Sequence, residues 1–338
     1  MEIKENISLR KYNTFGIDVQ AKYFASFDSI EQLQDILLLP NFQHESKLIL
    51  GGGSNILFTK NVAALVLKNE ISGIEVVEED DQFVFLKAGA GIAWHELVKY
   101  CVHHQYAGVE NLALIPGNVG ASPMQNIGAY GVEVKEVFHS LEAIHINSKE
   151  KVVFTKSDCE FGYRESVFKH AQRNQFVITS VTYRLLKKPK YNIAYGAIAK
   201  ELEVMGVQEL SISSIAQAVI NIRNSKLPNP ESIGNAGSFF KNPELPKTQF
   251  DVLKMEFPDI VGYMNEMDKV KVAAGWLIEQ CGWKGYRKGD AGCHDKQALV
   301  LVNFGCATGA EIYNLSEEII NTVTAKFGIL LEREVNIF

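Results

Sequence analysis

The stretch Pro116 to Gly131 constrains the fold more than any other part of the sequence, because it is rich in glycine, alanine and amide side chains and carries no charged residue. A solvated linker would be charged and a core segment would be apolar, so a long loop of this composition reads as a ligand-binding loop. Its backbone N–H groups, amides and small side chains offer a surface to a flat, polar cofactor; a purely structural Ω-loop is the alternative. A second cluster, Gly51-Gly52-Gly53-Ser54-Asn55, directly follows the strand-like Leu48-Ile49-Leu50. Glycine adopts positive φ and lets N–H groups approach phosphate oxygens, so the expected guest is a pyrophosphate and the alternative is a tight turn without ligand. The spacing is not the G-x-G-x-x-G of a Rossmann dinucleotide unit. Two such clusters in one half of the chain favour one shared dinucleotide over two unrelated turns.

Around the loops, short apolar runs read as strands: Lys47 to Leu50, Ala64 to Leu67, Phe83 to Ala88, Ser140 to Ile146, Lys151 to Thr155 and Gln175 to Leu185. Helical spacing marks Ser29 to Leu38 and Ala93 to Tyr100. A mixed α+β chain is therefore expected. Its 338 residues exceed one ordinary core and correspond to about two domains of ~150 residues. Lys187 to Lys190, with Pro189, reads as a boundary, and Ile212 to Lys226 as a helix opening a second module. That module continues with a helix Val270 to Cys281, a strand Ala298 to Asn303 and a helix Gly309 to Phe327. The tail Ile329 to Phe338 reads as a final strand with Glu332 and Glu334 on one face.

Composition narrows the function classes. With 46% hydrophobic and 22% charged residues and a net charge of -6, the chain has the make-up of a soluble globular protein without a basic field for nucleic acid. Five scattered cysteines with no C-x-x-C pair indicate neither a disulfide framework nor zinc, and a reducing cytoplasm fits. His103-His104 lacks the H-E-x-x-H arrangement, so no metal is expected. Met1 to Arg10 mixes acidic and basic residues, and no run approaches the roughly 18 apolar residues of a membrane span. Neither secretion nor a membrane partner is expected.

Several polar residues are chemically suggestive. Ser238 lies among Gly234, Asn235 and Gly237, where a hydroxyl could reach a substrate or simply bond its own backbone; no G-x-S-x-G elbow supports a hydrolase. Arg164 offers a planar fork for a carboxylate, with an ion pair to Glu160 or Glu165 as the alternative. Glu334 stands between apolar residues in the closing segment, and could also be a solvated charge.

The run Tyr12-Asn13-Thr14-Phe15-Gly16, the Gly51 to Asn55 loop and Pro116 to Gly131 resemble the FAD-binding half of the UDP-N-acetylenolpyruvoylglucosamine reductases, flavoproteins of the vanillyl-alcohol-oxidase type. The resemblance continues through Ile222 to Pro228, Gly234 to Pro243, Gln297 to Asn303 and Leu331 to Val335, and so spans nearly the whole chain in order. It implies FAD-binding subdomains at 1–70 and 71–205, a substrate-binding domain at 206–327 and a closing strand at 328–338. It further implies NADPH-dependent reduction of UDP-N-acetylglucosamine enolpyruvate to UDP-N-acetylmuramate for peptidoglycan synthesis, and with it cell shape and division.

By the same resemblance, Ser238 protonates the carbon beside the substrate carboxylate, while Arg164 and Glu334 stabilise the enolate-like intermediate. FAD, without a covalent link, is implied at Gly51, Gly52, Gly53, Ser54, Asn55, Pro116, Gly117, Asn118, Gly120, Ala121, Ser122, Gln125, Asn126, Gly128, Tyr130 and Gly131. Tyr195 resembles the tyrosine of a mobile loop closing on the substrate diphosphate in the tyrosine-loop subclass, type I, although Ala197 replaces the usual aspartate. Arg223, Lys226, Asn242 and Gln297 match positions that contact the nucleotide sugar or the nicotinamide cofactor. Arg333 stands where many relatives have proline. The partners implied are the nucleotide sugar and NADPH, with no obligate protein partner. Another flavin oxidoreductase of the same fold, or a catalytically silent nucleotide-sugar-binding protein, remains the alternative.

Overall fold

The computed structural model of the chain describes residues 2–264 and 268–338. Met1, in the expected segment 1–70, and residues 265–267, in the expected module 206–327, lie outside the described residues. The chain divides into two compact units. One comprises the residues up to Ile7, Ala21–Gly52 and Ala63–Ser225; the other comprises Ser8–Gln20, Gly53–Val62 and Lys226–Phe338. Both combine helices with mainly antiparallel sheets, the α+β class expected.

In the first unit, a four-stranded sheet has the order Lys4–Ser8, Gln20–Phe27, Val62–Asn69, Lys47–Leu50, the last two strands running parallel with Leu48 opposite Val66. Helix Ile30–Leu38 begins at Ser29, whose hydroxyl accepts the Gln32 N–H at 3.2 Å and so satisfies a donor that the first turn leaves open. Its spacing turns Leu33, Ile36 and Leu37 onto Ala25, Phe27, Leu65 and Leu67. Full burial of each such leucine or isoleucine contributes about 1.5–3 kcal/mol.

A second, five-stranded antiparallel sheet has the order Lys151–Thr155, Phe138–His145, Phe176–Leu186, Phe83–Gly89, Ile74–Glu79. Helix Trp94–His103 packs here: the Trp94 indole donates to the Leu112 carbonyl at 2.8 Å and meets the Tyr183 ring edge-on at 5.7 Å. Ile198 and Leu202 from helix Gly196–Val204, and Ile215, Val219 and Ile222 from helix Ile212–Lys226, join the same core as Val84, Leu86 and Leu97. The helix read from the sequence as opening a second module thus packs in the first unit.

The second unit holds a four-stranded sheet, Gly234–Ser238, Val300–Asn303, Ala291–Cys293, Arg287–Lys288, and a three-stranded sheet, Glu244–Pro246, Lys269–Val272, Gly262–Met264. Helix Gly309–Phe327 starts in a capping box between Thr308 and Glu311 and stops at Gly328, whose φ of 66° suits glycine. Gly309 lies on the backbone of Phe58 so closely that a Cβ would stand 1.7 Å from the Phe58 oxygen.

Two expectations are corrected here. Val270 to Cys281 is not one helix: Lys269–Val272 is a strand paired on both sides, and only Ala274–Gln280 is helical. The alternation Lys269-Val270-Lys271-Val272 buries the two β-branched residues with period two, which a pleated strand accommodates and a helix does not. The tail is not one strand either. Residues 332–334 pair with 239–241 around a bridge between Arg333 and Phe240, whereas Asn336–Ile337 pairs in parallel with Ile56–Leu57. A change of partner midway interrupts the ladder.

Candidate active site

In the first unit the two glycine clusters meet backbone to backbone. A Cβ on Gly52 would stand 2.6 Å from Asn118 Oδ1 and 3.1 Å from Gly117 Cα, so bare backbone is required. The 116–131 loop is tied down along its length. Trp94 N–H donates to the Gly117 carbonyl at 2.8 Å, Val119 N–H to Ile92 at 2.8 Å and Gly120 N–H to Ala90 at 3.0 Å. The Asn118 amide donates to the Gly91 carbonyl, and the Ser122 hydroxyl bonds the buried Tyr183 phenol at 2.7 Å. Burial pushes that phenol above its ordinary pKa, so it stays neutral.

Asn126 is fully buried with a φ of 45°; its amide donates to Glu133 at 3.0 Å and to the Gly162 carbonyl at 2.9 Å, and its oxygen accepts the Lys135 N–H at 3.0 Å. Its side chain holds the loop. Gly51 faces the Asn118 side chain and Gly131 that of Asn192; Gln125 and Gly128 are half-buried, whereas Pro116 and Ala121 are exposed. This preformed, side-chain-poor cradle, with no carboxylate in either loop, suits the pyrophosphate and flat ring system of FAD.

The first unit also assembles a polar cluster. Arg164, with a φ of 56°, occupies a tight turn in which Gly162 and Glu165 exchange N–H to carbonyl bonds of 3.0 and 3.3 Å. Its Nη2 donates to the Gly128 carbonyl at 2.6 Å. Glu165 pairs with His170 at 2.7 Å and Lys169 at 3.4 Å. The Arg223 Nε donates to the Leu114 carbonyl at 3.1 Å, and the Arg223 guanidinium lies close enough to the Tyr130 phenol for the two to interact electrostatically. Burial lowers the pKa of Arg223, Tyr130 offsets part of that effect, and Arg164 is near enough to add to it.

Tyr195 meets the Tyr130 ring edge-on at 5.3 Å. It is 47% exposed and directly precedes helix Gly196–Val204, in which Ala197 is half-buried. Two guanidinium groups beside two phenols have the chemistry to hold a phosphate or a carboxylate. Asn111, which sequence reasoning missed, underlies it: this buried amide donates to the Tyr130 carbonyl at 3.1 Å and to the Asn192 carbonyl at 2.9 Å. A polar residue ahead of the apolar run Leu112-Ala113-Leu114 was the available signal.

In the second unit, Ser238 ends its strand opposite Val300 after a bulge, and Gly237, at a φ of 69°, takes up the irregularity. The following residue links Ser238 to the tail, because Phe239 accepts the Glu334 N–H at 2.9 Å. Glu334 thus lies on the backbone paired to the segment just after Ser238. Gly53, at a φ of 63°, accepts the Thr14 N–H at 3.1 Å, and Ser54 is half-buried. The Asn55 amide donates to the Glu334 carbonyl at 3.3 Å.

Arg333 turns the other way. Its Nε donates to the Ser316 hydroxyl at 2.8 Å, its Nη2 pairs with Glu317 at 2.6 Å, and its guanidinium lies over Tyr313 at 4.5 Å. Asn242 accepts the Ala274 N–H at 3.0 Å and so caps a helix. The Gln297 carbonyl accepts the Val300 N–H at 3.0 Å; Lys226 is exposed at its helix end. Lys241, unremarked in the sequence reading, is a buried cation donating to Glu332.

The fold and the glycine cradle define a flavin-binding protein: residues 21–152 match the FAD binding domain family, and residues 229–338 match the C-terminal domain of UDP-N-acetylenolpyruvoylglucosamine reductase. A curated protein of that name from Flavobacterium johnsoniae is 50% identical over 338 residues, covering 100% of both chains. One from Bacteroides fragilis is 45% identical over 334 residues, covering 99% of each. The chain belongs to the UDP-N-acetylenolpyruvoylglucosamine reductase family. The crystal structure of the Thermus caldophilus enzyme shares the fold, with a TM-score of 0.70 at 21% identity over 100% of this chain and 99% of that one.

Proposed function

We infer that the chain reduces UDP-N-acetylglucosamine enolpyruvate to UDP-N-acetylmuramate, with NADPH as hydride donor and FAD as non-covalent carrier, in cytoplasmic peptidoglycan precursor synthesis. One observation carries the reading. Ser238 and Glu334 lie on adjacent paired backbones, in a chain 50% identical from end to end to a curated reductase of this name. The Gly51–Asn55 and Pro116–Gly131 loops would hold FAD, which would supply the hydride relay from NADPH to the terminal carbon of the enolpyruvyl group.

The residues divide the remaining work. Arg164 and Glu334 hold and polarise the substrate carboxyl group, so that charge developing on the adjacent carbon spreads onto its oxygens. The Ser238 hydroxyl donates the proton to that carbon. Tyr195 closes on the nucleotide-sugar diphosphate, as in the tyrosine-loop subclass, and Arg223 engages the nucleotide-sugar phosphates, while Lys226, Asn242 and Gln297 contact the nucleotide sugar or NADPH. Segments 1–70 and 71–205 serve FAD; 206–327, with the tail 328–338, serves the substrate. The Gly51–Asn55 and Pro116–Gly131 loops contain no histidine or cysteine for covalent flavin attachment.

The purified protein should be yellow, bleach with NADPH, and regain its colour anaerobically on addition of UDP-N-acetylglucosamine enolpyruvate. Colour that returns only with oxygen would mark an oxidase of the same fold, and a colourless protein that binds the nucleotide sugar would mark a silent receptor. Acid precipitation should release the flavin into the supernatant.

A further inference from the structure

We propose that His95 is a positioning residue for substrate recognition: by accepting the Leu114 N–H on its Nδ1, it fixes the carbonyl that anchors Arg223. The proposal rests on the functional reading above, in which Arg223 and Tyr195 bind the nucleotide-sugar phosphates.

The geometry runs through one residue. Leu114 has a φ of 58°, a left-handed conformation that a branched apolar side chain rarely adopts and that its surroundings must hold. Both of its backbone polar groups are committed to side chains from different helices. Its N–H donates to His95 Nδ1 at 3.0 Å, from the first turn of helix Trp94–His103. Its carbonyl accepts Arg223 Nε at 3.1 Å, from helix Ile212–Lys226. Rotation of the Leu114 backbone out of this conformation breaks both bonds together. Arg223 in turn interacts electrostatically with Tyr130, whose ring receives Tyr195 at 5.3 Å. Anchoring matters because Arg223 also feels the like charge of Arg164, so the scaffold must hold the two guanidinium groups against their repulsion.

Nδ1 accepts only while the imidazole is neutral with its proton on Nε2. Burial lowers the His95 pKa below its ordinary value of 6.5; Lys99 on its own helix and Arg223 on the facing helix lower it further, and Glu96 opposes them. The acceptor is therefore intact at neutral pH. It is lost at acid pH, below 6.5, when two donors would face each other.

The test uses the flavin-loaded protein and UDP-N-acetylglucosamine enolpyruvate, with binding read from the perturbation of the flavin spectrum between pH 5 and 8. Wild-type affinity should fall on the acid side of 6.5. His95→Ala should bind about tenfold more weakly at neutral pH, the loss expected for one buried hydrogen bond. His95→Asn, whose amide oxygen can replace Nδ1 and does not titrate, should restore most of the affinity and flatten the acid limb. Nitrogen NMR of the His95 ring should show the Nε2–H tautomer at neutral pH.

An Nδ1–H tautomer, a His95→Ala variant matching wild type throughout, or a folded His95→Asn variant no better than His95→Ala would each overturn the proposal. Wild-type protein that binds no enolpyruvyl nucleotide would instead remove the functional reading, and the proposal with it.

Discussion

Arg333→Ala tests how the tail is held. The arginine contributes a hydrogen bond to the buried Ser316 hydroxyl and an ion pair to Glu317, whose side chain is 41% exposed. Ser316 keeps its own donation to the Tyr313 carbonyl at 2.6 Å, so truncation leaves no orphaned hydroxyl and costs about 1 kcal/mol at that contact. Solvent screening limits the Glu317 pair to about 0.2–1 kcal/mol, for a total loss of about 1–2 kcal/mol. Glu334, proposed above to polarise the substrate carboxyl group, is the next residue, and misplacing such a group by about 1 Å can cost ~10²-fold in rate. Urea unfolding should therefore show that loss, and anaerobic stopped flow should show substrate reoxidising the reduced flavin at least about tenfold more slowly, with NADPH reduction little changed.

Arg333→Pro is the informative companion. The ladder bonds flanking this position come from the Glu334 and Lys241 N–H groups, so proline removes none of them. Proline should match alanine in losing the Arg333 contacts and should leave the pairing intact. Unchanged stability in Arg333→Ala would refute the energetic argument; lost stability with normal reoxidation would show that Arg333 anchors the tail without placing Glu334.

Three further outcomes are expected. Ser238→Ala should leave flavin bleaching by NADPH intact and slow reoxidation by substrate by at least about a hundredfold, the scale of general acid catalysis; near-normal reoxidation in a folded variant would take the proton-donor role away from Ser238. Tyr195→Phe should weaken substrate binding more than it slows flavin reduction, and stopped-flow traces showing equal damage to both half-reactions would point to a folding or cofactor defect. A thiol reagent should modify exposed Cys306 first in the native protein, because burial pushes Cys159 and Cys293 up to about 12 and raises Cys101 as well; early labelling of these three would contradict their burial.

What the sequence made legible was local. Thr308, Glu311 and Gly328 mark the ends of helix Gly309–Phe327 because capping chemistry is set within one turn. Lys151–Thr155 and Lys47–Leu50 coincide with their strands because alternation and flanking residues suffice. The glycine loops were legible as loops, and the fold adds that Gly52 and Gly117 lie against each other. Features joining distant positions were not legible. Asn111 joins Tyr130 and Asn192, and Lys241 meets Glu332 from 91 positions away, pairings that no local pattern encodes. In Val270 to Cys281, two elements with different periods adjoin within a few residues, and a single helical reading ran across them.

The changing partners of the tail also bear on the order in which the protein can be made. Thr59 donates both its N–H and its hydroxyl to the carbonyl of Phe338, a residue synthesised 279 positions later. At roughly 5–20 residues per second, translation separates the two by some tens of seconds. During that interval Ile56, Leu57 and Phe58, all buried in the finished unit, have emerged without the tail that pairs with them. The second unit is therefore closed late, and its early strand must be kept from wrong partners while it waits.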